Sequence, residues 1–191
     1  MILEGIVTTI SPSGEVNIAP MGPRVDADMH RFLLRPFRTA DTYRNLRLHP
    51  EGVLHVVDNV LLLAQAAVGT IDPPPALMDA RAVRGRVLCN ACRFYEFRVV
   101  ELDDREDRIS IAVEVVHHET LRDFFGFNRA KHAIVEAAIL ATRTHLLPMV
   151  EIEVEYRKLA VIVQKTGGPH EQEAMRFLQE YVARTGSEAR A

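Results

Sequence analysis

The sequence predicts an α+β fold, mainly β, with an antiparallel sheet or small barrel over residues 1–122. A helical subdomain is expected over 123–186 and a tail over 187–191. Three observations carry that reading. Strand-like runs follow one another through the first part of the chain with only short helices between, which argues against alternating β and α units and a parallel sheet. After about residue 120, apolar residues recur at spacings of three and four, the period of a helix with one buried face. With 191 residues, 48% of them hydrophobic and 26% charged, the chain holds ample material for a core and resembles an ordinary globular domain.

Residues 2–10 are rich in β-branched side chains and end in the turn cluster Ser11-Pro12-Ser13-Gly14, so 15–19 form the returning strand of a hairpin. A third strand fits 29–34, where Met29, Phe32 and Leu34 are separated by polar or basic residues. Thr39 or Asp41 is placed to cap a short helix over 41–48, which His49-Pro50 ends. Residues 53–57 read as a short apolar strand, and 60–68 as a buried helix. Three successive prolines, Pro73 to Pro75, lack N–H donors and mark a loop. Residues 83–102 and 108–118 form a long hairpin around the charged tip Asp103 to Asp107, with room for a smaller hairpin inside the first segment.

The helical part opens at Asn128 and runs to Leu147, with Ile134, Ala138, Ala141 and His145 on one stripe and Pro148 as its stop. Residues 149–166 fit two periods: Val150, Ile152, Val154 and Tyr156 alternate as in a strand, while Ile152, Tyr156, Leu159 and Val163 make a helical stripe. Acids in front, bases behind and Gly167-Gly168 at the end favour the helix. Pro169 opens a last amphipathic helix with Ala174, Phe177, Leu178 and Tyr181 inward, loosening into the tail from Thr185.

Composition narrows the function classes. A formal net charge of −3 gives no basic face for a nucleic acid. Lys131, Lys158 and Lys165 are the only lysines, so the arginine excess is a compositional bias and a single Arg is weak evidence of function. Cys89 and Cys92 form a lone C-x-x-C; with no second pair, and Phe94, Tyr95 and Phe97 beside it, it reads as buried or half-buried thiols rather than a metal or redox site. No signal peptide and no apolar run of about 20 residues is present, so a cytoplasmic protein without a membrane partner is expected.

The chemistry concentrates in two early segments. Asn17-Ile18-Ala19-Pro20-Met21-Gly22 puts a bendable turn at the end of a strand, leaving backbone groups free along an edge for the polar rim of a flat heterocycle. Arg35, Arg38, Thr39 and Thr42 then surround a helix start, where guanidinium, hydroxyl and free N–H groups can seat a phosphate. The alternative is an ordinary N-cap flanked by solvated arginines.

The opening hairpin, Asn17-x-Ala19-Pro20, Asp41-Thr42-x-x-Asn45 and the strand at 53–57 together resemble the FMN-binding split-barrel superfamily of flavin reductases and flavoredoxin-like proteins. More closely, the chain is similar to a mostly archaeal family within it, in which Leu3-Glu4-Gly5-Ile6-Val7-Thr8-Thr9 leads the barrel and Gly126-Phe127-Asn128-Arg129-Ala130-Lys131 opens a helical extension. The resemblance implies a six-stranded antiparallel Greek-key split barrel and a homodimer with FMN near the subunit interface. It also implies that Asn17, Ala19, Pro20 and Met21 flank the isoalloxazine, while Thr42 and Asn45 close the phosphate end. The implied activity is hydride or electron transfer to a small molecule, a pterin among the candidates; a non-catalytic FMN carrier and a cofactor-free dimeric interaction module stay open. The superfamily's C-terminal nicotinamide-contacting segment has no counterpart here, so NAD(P)H use does not follow.

Two further clusters carry groups able to bind a ligand. In His117-His118-Glu119, adjacent side chains point to opposite faces of a strand, which is a poor metal site. Arg129 and Lys131 place cations at a helix start, where the macrodipole disfavours them. An anionic ligand would compensate; so would Glu136, Asp123 or a partner subunit. Phe124, Phe125 and Phe127 are expected as a hydrophobic staple for that helix.

Overall fold

The computed structural model describes residues 1–188 and divides into two compact units. Met1–Val57 and Pro73–Phe124 form the first, and Asp58–Asp72 with the chain from Phe125 onward form the second. The sequence boundary near 122 lies close to the step between the units at Phe124 and Phe125, and residues 58–72 cluster with the helical unit. Of the expected tail, residues 187 and 188 continue a helix, and 189–191 lie outside the described residues.

The first unit is built on a seven-stranded sheet ordered β2-β1-β5-β8-β9-β4-β3. Its strands are β1 (Gly5–Ile10), β2 (Val16–Met21), β3 (Arg24–Val25), β4 (Arg31–Leu34), β5 (Glu51–Val56), β8 (Arg93–Asp103) and β9 (Ser110–Thr120). Every pairing is antiparallel. The seventh strand, against six expected, arises at Gly22-Pro23, which interrupts the run after β2 and sets β3 apart. The sheet curls closed because the chain start pairs with that same segment: Leu3 N–H donates to Pro23 O at 3.1 Å and Val25 N–H to Met1 O at 2.9 Å. Irregular register at Glu96/Phe97 and Val99/Glu101 bends the two long strands β8 and β9, as closure requires. Gly5 is fixed by close approach, since a Cβ there would lie 2.5 Å from His55 O.

The barrel interior is filled by Val7, Phe32, Leu34, Leu54, Tyr95, Phe97, Ile111 and Val113, with Tyr43 and Leu46 supplied by helix α1 (Asp41–Leu48). The nested hairpin is real and forms its own small sheet, β6 (Leu77–Asp79) with β7 (Arg86–Leu88). Cys89 and Cys92 lie in the turn after it, not in a strand; Cys89 is exposed and only Cys92 is buried.

In the second unit, α2 (Val60–Ala67), α3 (Arg129–Ala141), α4 (Met149–Thr166) and α5 (Pro169–Glu188) pack through Leu63, Ala137, Ile152, Tyr156, Val163 and Leu178, among others. Residues 149–166 are helix, as their caps favour. The third helix ends at Ala141 rather than Leu147, and His145 lies exposed in the turns that follow. Phe124, Phe125 and Phe127 are 47%, 71% and 95% exposed, so they form no buried staple, although Phe127, just before the Asn128 N-cap, meets the His132 ring edge-on at 6.0 Å. None of the helices described is long and apolar enough to cross a membrane.

Candidate functional site

The start of α1 is left open. Neither Thr39 nor Asp41 caps it: the N-cap position falls on Ala40, which has no side chain to offer. Ala40 N–H turns back to Phe37 O and the first helical bond runs from Arg44 N–H to Ala40 O. The N–H groups of Asp41, Thr42 and Tyr43 have no acceptor among the described residues. Such a helix end carries a partial positive charge and three aimed donors.

Beneath it runs a buried polar network. Asn17 on β2 donates from Nδ2 to Thr9 Oγ1 at 3.2 Å and to Thr42 Oγ1 at 3.1 Å. Asn45 on α1 donates from Nδ2 to the same Thr9 oxygen at 3.0 Å. Thr9, Thr42 and Asn45 are all buried, and Asn17 is half-buried. The sequence did not single out Thr9. Its signal was present: Thr9 is in phase with Val7, which fills the barrel, so a hydroxyl stands where a strand points its apolar side chains inward.

The arginines divide. Arg35, between β4 and the helix, has a buried Nε with no hydrogen-bond partner. A buried unpaired guanidinium donor is costly, and an anionic acceptor would relieve it. Arg38 is exposed and already committed, donating to Asp104 O and, at 3.3 Å, to Glu106 O on the tip between β8 and β9. Tyr43 reaches the same tip through Asp104 Oδ2 at 2.9 Å. Thr39 is exposed and makes no side-chain bond among the described residues. The one carboxylate in the first turn, Asp41, is drawn aside by Arg44 at 2.8 Å.

Ala19, Pro20 and Met21 lie half-buried on β2, in register with Val7, Ile6 and Gly5. As β2 ends the sheet order, its other edge pairs with no strand among the described residues. The residues from Asn17 to Asn45 thus share the first unit, while Arg129 and Lys131 belong to the second.

There Lys131 finds its anion within the chain. Its ammonium donates to Glu171 Oε1 at 2.8 Å and to Asp58 O at 2.7 Å, with Phe125 beneath it at 5.4 Å. Burial pushes the Glu171 carboxyl up, but Lys131 and the Gly168 amide outweigh that and hold it below the usual carboxylate range. The cation at the start of α3 thereby has Glu171 as a partner within the chain. Arg129 is exposed and unpaired among the described residues. Glu171→Ala would strand a largely buried ammonium, and we expect a loss of about 2 kcal/mol in urea unfolding, discounted from the fully buried case for residual solvent. A loss below about 0.5 kcal/mol would show that water replaces the carboxylate freely.

Comparison with known proteins adds three findings. Family models described as protein of unknown function (DUF447), N-terminal domain, and protein of unknown function (DUF447) match residues 3–122 and 128–180. No curated protein matches the chain. Among solved structures, the chain is similar to the FMN-bound DUF447 protein MM1853 from Methanosarcina mazei, at 22% identity and TM-score 0.81, with 94% of each chain covered. It is also similar over 62% of its length to the styrene monooxygenase flavin reductase from Pseudomonas putida S12 (13% identity, 80% of that chain, TM-score 0.52) and to the flavoredoxin of Desulfovibrio vulgaris (9%, 69%, 0.53). These likenesses establish the split-barrel fold with a helical extension.

Proposed function

We propose that this chain, which belongs to the DUF447 family, is a flavoprotein that seats the phosphate of FMN at the open start of α1. The observation that carries the reading is the set of unspent donors at that helix start, the N–H groups of Asp41 to Tyr43 and the Thr42 hydroxyl; the buried, unpaired Arg35 Nε, six residues before α1, is a further candidate donor. A dianionic phosphate monoester supplies the several oxygen acceptors such a set requires. The FMN bound by the Methanosarcina relative supports the choice of anion.

Bound FMN would supply hydride and electron transfer, chemistry that asks the protein for position and electrostatics rather than for a catalytic dyad. On this reading Arg35, Thr42 and the helix N–H groups hold the tail. Arg38 braces the tip between β8 and β9 instead of touching phosphate, and Thr39 is free to reach the ligand from the exposed side. Asn17, Ala19, Pro20 and Met21 offer the unpaired edge of β2 to the ring. We further propose a cytoplasmic homodimer that acts on a small molecule, with a pterin as the first substrate class to try.

Protein purified from riboflavin-replete cells should carry flavin absorbance or take it up on adding FMN; colourless protein that stays so refutes the proposal. Anaerobic bleaching by NADH or NADPH separates an oxidoreductase that uses these donors from a carrier. Arg35→Ala and Thr42→Ala should each weaken FMN binding by about 2 kcal/mol, the scale of a hydrogen bond to a charged group. Unchanged affinity in both would move the phosphate elsewhere.

A further inference from the structure

We infer that Thr9 is a positioning residue that holds the Asn17 amide so that the Thr42 hydroxyl keeps its proton for an anionic ligand. The inference rests on the FMN reading above, and assigns a role to a residue that touches no part of the proposed ligand.

An Asn side chain has two N–H donors and one carbonyl acceptor, while a hydroxyl has one donor and two acceptor positions. Both Asn17 protons are used inward, one on Thr9 and one on Thr42. Thr9 sits directly across from Asn17 in the β1–β2 register and is 1% exposed. Its oxygen also takes a proton from Asn45, so it accepts from both amides. With both acceptor positions of the Thr9 oxygen filled in this way, the Asn17 amide stands with its NH₂ toward Thr42. Thr42 Oγ1, accepting from Asn17, has its own proton left over, and no acceptor for it exists among the described residues. Thr42 is likewise 1% exposed, so this unspent donor is buried.

The consequence is a site of one sign. The Thr42 hydroxyl joins the N–H groups of Asp41, Thr42 and Tyr43 as donors without an acceptor among the described residues. Without the Thr9 oxygen, the inward NH₂ of Asn17 loses one of its two acceptors, and the amide is freer to turn its carbonyl to Thr42. The hydroxyl then donates inward, and the site loses one donor while the edge of β2 keeps its backbone groups. The effect should therefore fall on a phosphate and spare a flat ring.

Riboflavin, which is FMN without its phosphate, isolates that difference. In titrations of the full chain, Thr9→Val should raise the FMN dissociation constant about tenfold, the effect of one charge-assisted hydrogen bond, and leave that of riboflavin within about twofold. Thr9→Ser, which restores the hydroxyl, should bind FMN like wild type. Thr9→Ala is read alongside because it removes the hydroxyl without adding a methyl group to the packed interior. Equal weakening of both flavins, or of neither, in the Val and Ala variants overturns the role of Thr9. Wild-type protein that takes up no FMN defeats the cofactor reading itself, a result visible before any substitution is made.

Discussion

Replacing Glu96 with Ala should lower the stability of the barrel unit by about 4 kcal/mol, the largest single effect expected in this chain. Glu96 lies on β8, is fully buried, and accepts from the N–H groups of Arg81 (2.8 Å), Ala82 (2.6 Å) and Val83 (3.2 Å). Those three amides form the turn between β6 and β7, so one carboxylate nucleates the whole loop. Hydrogen bonds to a charged acceptor contribute about 1.5–3 kcal/mol each, but three on one side chain act as a unit and do not sum. The same loop is held at its rim by Glu51, which accepts from Arg84 N–H, and by Arg98, which donates to Ala82 O. These exposed contacts cannot replace the buried one. Glu96→Gln keeps a carbonyl for part of the loop but turns an NH₂ toward the remaining donors, so about half the loss is expected. Urea unfolding followed by a barrel tyrosine signal measures both. An Ala variant within about 1 kcal/mol of wild type would mean that water satisfies the loop amides.

The loop illustrates what was legible in the sequence and what was not. β-branched runs and turn clusters mark the strands, and the flanking glycines mark 149–166 as helix. Those are local signals. Pairings between distant residues leave no such trace: Glu171 compensates Lys131 from forty positions away, and Glu96 serves amides that precede it in the chain. The helix start at 41 shows a different failure. Capping preferences placed Thr39 or Asp41 at the N-cap, yet the chain puts Ala40 there and leaves the amides free. A local rule broken at a candidate binding site is where sequence reasoning is expected to fail, because on the proposed reading the acceptor for those amides belongs to a ligand. The end of the third helix at Ala141 has a simpler cause: Thr142 to His145 are poorer helix formers than the alanines before them, so turns begin well ahead of Pro148.

Stability should also fall steeply on mild acidification, through His55. This side chain lies on β5, fully buried, with Nδ1 3.1 Å from Ile6 O on β1 and Nε2 3.1 Å from Leu88 N–H on β7. A backbone amide can only donate, so Nε2 is the acceptor and Nδ1 carries the proton: the ring is neutral and ties the small β6–β7 sheet to the barrel. Burial pushes its pKa down to about 4, against a weaker upward pull from the Ile6 carbonyl. Between pH 6.5 and 4 the unfolded chain therefore binds a proton that the folded chain refuses. Stability is complete above pH 6.5 and is lost as pH falls through that window, by about 3 kcal/mol in all. Other groups titrate in the same range, so the quantity to measure is a difference. His55→Gln preserves a donor and an acceptor without a titrating ring, and should lose about 3 kcal/mol less than wild type between pH 7 and pH 4 in urea unfolding. Parallel pH curves for the two proteins would show that the ring is protonated within the fold, and that Leu88 N–H has found another acceptor. A steep wild-type curve with a flatter variant would place the acid sensitivity at the junction of β1, β5 and β7. That junction shares strand β1 with Thr9, so a candidate ligand site and a pH-sensitive joint would be built on opposite faces of one short strand.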